Sequence, residues 1–276
     1  MQGRLGLLIG LLLTGLLLIG TLPIGFCASD TVQAAELSDI RDRGYLIVGV
    51  KENLRPLGFR DPQTQELQGF EIDIARQLAA ELLADPTALE LQPLLNQDRL
   101  KALLTDQVDL IVARMSITPA RLRVVDFSPP YYIDGTALIA RDPALQQLSD
   151  LQPARVAVLN GSDTIATVRS LLPALSLRGV ETYAEAETLL ESGQVDAFAA
   201  DVTVLTGWVQ QNPAYHLLPT LLSAEALAVA MPKGLQFDTL RQPVNQAIER
   251  WRVDGWLRQR IRTWGLPRAG LPGFVE

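Results

Sequence analysis

The chain has few of the residues on which metalloproteins and many enzymes rely. Its 276 residues include one cysteine and one histidine, which leaves no cysteine–histidine cluster for zinc and no pair of histidines on one helix. His216 follows Asn212-Pro213 and is interpreted as a loop residue rather than a catalytic base. Neither GxxxxGK[ST] nor GxGxxG occurs, so no nucleotide site is indicated. We therefore expect no metal, no cofactor and no catalytic residue.

The chain also lacks an excess of positive charge. Its formal net charge is −7, whereas proteins that bind nucleic acids usually carry a basic patch, and we expect no nucleic-acid partner. Hydrophobic residues make up 48% and charged residues 20%, which is typical of a globular α/β protein. No low-complexity tail or internal repeat is visible.

The N-terminal segment is interpreted as an export signal. Arg4 precedes an uncharged run over residues 5–26, and Val32-Gln33-Ala34 fits the small-x-small rule for cleavage before Ala35. Residues 1–34 are therefore predicted to be a cleaved signal peptide, which would leave a mature chain without cysteine or disulfide. Because the run is longer than a usual signal core, an uncleaved membrane anchor is the alternative.

Apolar patterning then predicts two series of alternating strands and helices. The first has strands at 45–50, 89–95 and 108–112, with helices at 70–84 and 99–104. The second has strands at 155–159, 195–200 and 226–231, with helices at 164–172, 185–192, after Asp201 through Trp208, and 237–264. The series meet near residues 140–142. We predict one lobe from residues 35–140 plus 226–276, a second from 141–225, and a ligand cleft between them.

The run at residues 108–121 points to a carboxylate site. An apolar strand leads into a turn with Ser116 and Thr118, a helix start is expected there, and Arg121 follows one turn later. Hydroxyls, helical N–H groups and a guanidinium fork all suit a small carboxylate. An ordinary junction, with capping hydroxyls and a solvated Arg121, explains the same run.

Two further residues follow strand ends in the second series. Ser162 could join Arg121 and Ser116 around a carboxylate, and Asp201 could take an ammonium group. Because a cation on one lobe then faces an anion on the other, the pattern predicts a zwitterionic ligand. Each of Ser162 and Asp201 is also where a helix N-cap is expected, and capping alone explains either.

Residues 37–264 resemble the bacterial extracellular solute-binding proteins, family 3, of polar amino acid ABC transporters. The resemblance lies in residues 69–75, 108–121, 125–132, 158–162, 193–201 and 254–257, with Trp264. It implies an α/β, two-lobed periplasmic-binding-protein fold of type II. Each lobe would be a mixed, mostly parallel sheet flanked by helices, and a two-strand hinge would join the lobes.

The resemblance also implies roles for the same residues. Arg121 and Ser116 would hold the α-carboxylate, with Ser162 at the second-lobe turn, and Asp201 would bind the α-amino group. The chain looks most similar to the glutamate- and aspartate-binding branch, in which an arginine at the position of Arg99 meets the side-chain carboxylate.

Other candidate positions depart from the family pattern. Lys51 stands where relatives for basic amino acids carry an acid, and Arg114, next to Ala113, stands where a small residue is usual. Three extra cations (Lys51, Arg99 and Arg114) favour an acidic ligand, with glutamine or another polar neutral amino acid next, because an unpaired buried cation is costly. Alternatively, Lys51 and Arg114 face solvent or nearby acids. Asp163 is an unexpected acid beside a carboxylate site.

We therefore expect a periplasmic, non-enzymatic receptor, monomeric, that delivers a polar amino acid to an ABC permease in the inner membrane. Two alternatives stay open: a periplasmic enzyme similar to cyclohexadienyl dehydratase, with Glu71 or Glu225 as its acid–base residue, and a membrane-tethered amino acid sensor.

Overall fold

The structure is a computed structural model that describes residues 36–273. The predicted signal peptide and its cleavage site lie outside the described residues. Within that range no helix is long and apolar enough to cross a bilayer.

Helices and strands alternate along the chain. The helices are α1 (Leu37–Arg43), α2 (Phe70–Leu83), α3 (Arg99–Leu104), α4 (Thr164–Leu171), α5 (Tyr183–Glu191), α6 (Val202–Gln211), α7 (Asp238–Val253) and α8 (Trp256–Thr263). The strands are β1 (Leu46–Val50), β2 (Asn53–Leu54), β3 (Gly58–Arg60), β4 (Leu67–Gln68), β5 (Leu89–Pro93), β6 (Leu110–Val112), β7 (Val125–Phe127), β8 (Tyr132–Asp134), β9 (Thr136–Ala140), β10 (Arg155–Leu159), β11 (Ser176–Val180), β12 (Ala197–Asp201), β13 (His216–Leu217), β14 (Glu225–Leu227) and β15 (Ala230–Pro232).

The first lobe is built on a five-stranded sheet in the order β5-β1-β6-β15-β7. β1 runs parallel to β5 and β6, whereas β15 runs antiparallel to β6 and β7. A small antiparallel sheet, β2-β3-β4, precedes helix α2. The apolar positions of α2 recur at helical spacing and are buried: Ile72, Ile74, Ala75, Leu78 and Leu82.

The second lobe is built on a sheet in the order β11-β10-β12-β9-β13. β10 is parallel to β11 and β12, and β9 is antiparallel to β12 and β13. The boundary between the lobes was expected after residue 140. The strand that ends there, Thr136–Ala140, already belongs to the second sheet. The sequence of a continuous apolar strand does not show which sheet the strand joins, because its pairing depends on residues far away in sequence.

Strands β8 and β14 pair antiparallel with each other and join the two lobes. The single strand expected over residues 226–231 is in fact two strands. β14 ends at Leu227 in this connection, and β15 begins at Ala230 in the first sheet. The apolar run is continuous because both pieces are buried, although they lie in different sheets.

Two expected helices are also shorter than predicted. The helix over residues 237–264 breaks into α7 and α8 at Gly255, whose φ of +88° favours glycine. After Thr118 only a 3-10 turn forms, Arg121–Arg123, because the chain re-enters the first sheet at β7. The N–H groups of a long helix are therefore not part of the site.

Candidate functional site

A cavity of about 260 Å³ lies where strand ends of both lobes meet. It is lined from the first lobe by Arg99, Arg114, Ser116 and Arg121, from the second lobe by Gly161, Ser162, Asp163, Thr164 and Asp201, and from β14 by Glu225 and Leu227. Seven of the nine sequence-predicted residues are among them. Lys51 and Ala113 are not.

Arg121 is held against the turn that precedes it. Its Nη1 donates to both the carbonyl oxygen and Oγ of Ser116, each at 2.7 Å. Ser116 is in turn fixed by a β-bridge to Leu227, at the end of β14. Burial lowers the pKa of Arg121, which Glu225 partly offsets. The rest of the guanidinium fork makes no hydrogen bond to another described residue and borders the cavity.

Arg99, at the start of α3, places a second guanidinium beside the first. Its Nη1 donates to the carbonyl oxygens of Ala113 at 2.5 Å and Arg114 at 2.8 Å, and its Nε donates to that of Asn96 at 3.1 Å. Burial, followed by repulsion from Arg121, lowers the pKa of Arg99 to about 10. Within residues 36–273 no carboxylate forms an ion pair with either group, so an anion between them would be strongly stabilised.

Arg114 spans the cleft. Its backbone has a φ of +47°, a conformation that glycine adopts without strain because it has no Cβ. Its Nε donates to Asp134 Oδ2 at 3.0 Å, and its Nη2 forms an ion pair with Asp201 of the second lobe. Burial opposes its charge, but the attraction of Asp134 and Asp201 raises its pKa.

Asp201 is the last residue of β12. Its side chain makes no capping hydrogen bond to α6, so helix capping does not explain its position. The other partner of Arg114, Asp134, is completely buried. Asp134 also accepts hydrogen bonds from Thr203 Oγ1 at 2.8 Å and from the N–H of Gly135 at 3.0 Å. The turn after β6 and the ends of β8 and β12 thus each contribute one residue to a single charge cluster: Arg114, Asp134 and Asp201.

Glu225 was not among the predicted ligand-binding residues. It begins β14 directly opposite Asp134 and lines the cavity. Its carboxylate makes no hydrogen bond or ion pair with any other described residue. Burial raises its pKa, and the nearby Asp201 raises it further. No local spacing marks this position, because the pairing of β14 with a distant strand brings it into the cleft.

The second-lobe turn contributes Ser162 and Asp163. Ser162 Oγ donates to the Leu159 carbonyl oxygen at 2.7 Å and does not cap α4. Asp163 occupies the N-cap position without a capping hydrogen bond from its side chain. Both residues line the cavity, and neither side chain caps the helix.

The expected cation at Lys51 lies outside the cavity lining. Its Nζ donates to the Leu94 carbonyl oxygen at 3.1 Å, and burial lowers its pKa. Lys51 follows the last residue of β1 and is buried. Ala113 contributes only its carbonyl oxygen, which holds Arg99 in place.

Glu71 is completely buried behind the site. Its Oε1 accepts hydrogen bonds from the N–H of Arg114 at 2.6 Å and the hydroxyl of Tyr131 at 2.5 Å. Its Oε2 has no hydrogen-bond partner among residues 36–273, and burial raises the pKa of the Glu71 carboxyl. Glu71 thus anchors the strained turn that carries Arg114.

A larger cavity of about 590 Å³ is lined by the β2–β3 hairpin and by helices α5 and α6. Two of its charged residues, Arg60 and Glu52, are exposed and already paired with each other. The smaller cavity is lined by charged residues of both lobes, Arg99, Arg114 and Arg121 from one and Asp163 and Asp201 from the other, and we take it as the site. No group of three histidine, cysteine, aspartate or glutamate side chains among the described residues is placed to hold a metal ion.

Residues 46–267 match the bacterial extracellular solute-binding proteins, family 3. The match covers most of the chain, and the chain belongs to this family, as its resemblance predicted. A relative from Geobacillus stearothermophilus named glutamine-binding protein is 35% identical over 199 residues, which are 71% of this chain and 76% of that protein.

Two further similarities support the assignment. The glutamate-binding protein GluB of Corynebacterium efficiens is 30% identical, with 85% of each chain covered. The solved structure of an ancestral cationic amino acid solute-binding protein has a TM-score of 0.70 at 29% identity, covering 83% of this chain and 98% of that one. The predicted type II periplasmic-binding-protein fold is confirmed.

Proposed function

We propose that this chain is the exported substrate-binding component of an ABC transporter and that it carries L-glutamine to a membrane permease. The observation that carries the proposal is the pair of neighbouring guanidiniums, Arg99 and Arg121, which line the cavity and form no ion pair with any acid in the described part of the chain. Relatives named for glutamine and glutamate binding support an amino acid as the ligand.

The α-carboxylate of the ligand would lie between Arg99 and Arg121. Each guanidinium is anchored by carbonyl oxygens and keeps N–H groups directed at the cavity. A carboxylate there would accept charge-assisted hydrogen bonds from both and relieve their repulsion. The Ser162 hydroxyl borders the same space from the second lobe.

Charge balance favours a neutral ligand over an acidic one. The cavity is lined by three cations, Arg99, Arg114 and Arg121, and by three acids, Asp163, Asp201 and Glu225. The extra cations that favoured glutamate in the sequence do not act as expected, because Lys51 is turned away and Arg114 is paired with two carboxylates. A zwitterion with an uncharged side chain adds one positive and one negative charge, so cations and acids in the cavity stay equal in number.

Calorimetric titration of the mature chain with the common amino acids tests the proposal. We expect one site, with L-glutamine bound at least about tenfold more tightly than L-glutamate. Tighter glutamate binding would overturn the choice of ligand. The lack of binding of any amino acid below millimolar concentration would overturn the receptor function. N-terminal sequencing of the exported protein distinguishes a cleaved receptor from a membrane-tethered sensor.

One observation favours a second candidate, a dehydratase on the same scaffold. Glu225 lines the cavity, forms no ion pair with another described residue, and has a pKa raised by burial, as a general acid requires. Glu71, the other acid considered, is sealed behind the site. Incubation with prephenate distinguishes the two functions: the receptor forms no phenylpyruvate, and an enzyme forms it catalytically.

A further inference from the structure

Asp201 is the acid expected to bind the ammonium group of the ligand, but its carboxylate is already occupied. Arg114 reaches across the cleft and forms an ion pair with it. An ammonium group could take this position only by displacing the guanidinium.

Displacing Arg114 would be costly. The same guanidinium is the ion-pair partner of Asp134, a carboxylate with no solvent exposure. Removing one partner of a buried ion pair leaves an uncompensated charge. The backbone of Arg114 is also fixed, since its N–H donates to the buried Glu71 at 2.6 Å. Arg114 is therefore a permanent part of the site.

Glu225 offers what Asp201 lacks. It lies across from Asp134 in the register of β8 and β14, beside Arg114 and Asp201, and it lines the same cavity as Arg99 and Arg121. Its carboxylate has no hydrogen-bond partner among residues 36–273. An ammonium group there would be stabilised by a charge-assisted hydrogen bond.

We propose that Glu225, and not Asp201, receives the ammonium group of the bound amino acid. Arg114 acts as a resident cation that satisfies Asp201 and ties the lobes together. This inference rests on the proposed function, because it requires a ligand with an amino group. It makes Glu225 a specificity-determining residue for amino acids against the corresponding carboxylic acids.

The test compares two ligands that differ only in the amino group, L-glutamine and glutaramate, on the mature chain and on the variants E225Q and D201N. Calorimetric titration gives the ratio of the two affinities for each protein. The wild-type ratio should be about thirtyfold in favour of glutamine, the worth of one charge-assisted hydrogen bond. Circular dichroism and urea unfolding establish that each variant is folded.

In E225Q we expect the ratio to fall to within about threefold of unity, with glutaramate affinity little changed. In D201N both affinities should fall together, because the cross-lobe ion pair is lost, and the ratio should stay near the wild-type value. A collapse of the ratio in D201N overturns the assignment, as does an unchanged ratio in E225Q. Failure of the wild-type chain to bind either ligand instead overturns the proposed function itself.

Discussion

Arg114 of the first lobe and Asp201 of the second form an ion pair that crosses the cleft. The guanidinium is also held by Asp134, at the end of β8, where the chain passes from one lobe to the other. One side chain thus links both lobes and the connecting strand. The ligand must bind beside this link, which is why the neighbouring unpaired groups, Arg121 and Glu225, define what the cavity recognises.

Arg121→Ala should weaken L-glutamine binding at least about a hundredfold, which corresponds to ~3 kcal/mol for a lost charge-assisted pair. Calorimetric titration measures the dissociation constant. Arg123→Ala is the matched control, because Arg123 lies in the same 3-10 turn but is exposed and does not line the cavity. Equal affinity in wild type and Arg121→Ala would refute the carboxylate assignment.

Arg114→Met should destabilise the fold by ~3 kcal/mol, because it leaves the fully buried Asp134 without its cation. Urea unfolding of the ligand-free chain measures the change. Arg155→Met removes a comparable pair with Asp196, but there the side chains are 52% and 33% exposed. That control should cost about 1 kcal/mol or less. Similar losses in the two variants would contradict the role given to burial.

Much of the architecture could be predicted from the chain itself. Helix α3 has the predicted bounds Arg99–Leu104, and β10 has the predicted bounds Arg155–Leu159. β10 carries a continuous apolar run, VAVL, and α3 spaces its leucines as a helix does, so local patterning was enough. The placement of β9 in the second sheet could not be predicted, because strand pairing is decided by contacts between distant segments.

The site was predictable only in part, for the same reason. Ser116 and Arg121 follow the end of β6 and Asp201 ends β12, and the topology brings these strand ends together. That Asp201 would be paired with Arg114, and that Lys51 would turn away to the Leu94 carbonyl, depends on side-chain directions that no spacing encodes. Glu225 joins the site through a strand pairing across the connection between the lobes.

Glu71→Gln should change how stability depends on pH. Burial raises the pKa of Glu71 in the folded chain above its ordinary value of 4.5, so folding favours its protonated form. This contribution is fully present below about pH 4.5 and is lost as the pH rises through the folded-state pKa. The glutamine variant, which cannot ionise, should become progressively more stable relative to wild type as the pH rises.

Urea unfolding of wild type and Glu71→Gln, at a series of pH values from below 4.5 upward, measures the difference in their free energies of unfolding. Tyr131→Phe provides a comparison, since it removes the hydroxyl that donates to Glu71 Oε1 and keeps the carboxyl group. A difference between wild type and Glu71→Gln that is constant with pH would show that Glu71 does not titrate as described.

Gly207→Ala should hinder closure of the lobes without altering the smaller cavity, which Gly207 does not line. Gly207 lies in α6 of the second lobe, and an added Cβ would collide with the carbonyl oxygen of Arg55 in the first. We expect glutamine affinity to fall about tenfold, because overpacking at this contact costs ~1 to 2 kcal/mol. Unfolding of the ligand-free chain should change little, because an open cleft relieves the collision.

Gln211→Ala is the matched control for this prediction. It trims the same helix beside the larger cavity and adds no atom at the contact between the lobes. Its glutamine affinity should stay within about twofold of wild type. Equal affinities in Gly207→Ala and Gln211→Ala would contradict the contact as a feature of the ligand-bound state.

The most direct measurement compares the binding of L-glutamine with that of L-glutaminamide, in which a neutral amide replaces the α-carboxylate. The two guanidiniums of Arg99 and Arg121 require an anion between them, so we predict one tight site for glutamine and binding of the amide weaker by at least about a hundredfold. Comparable affinities for both compounds would contradict the account, because the paired cations would then have no part in recognition.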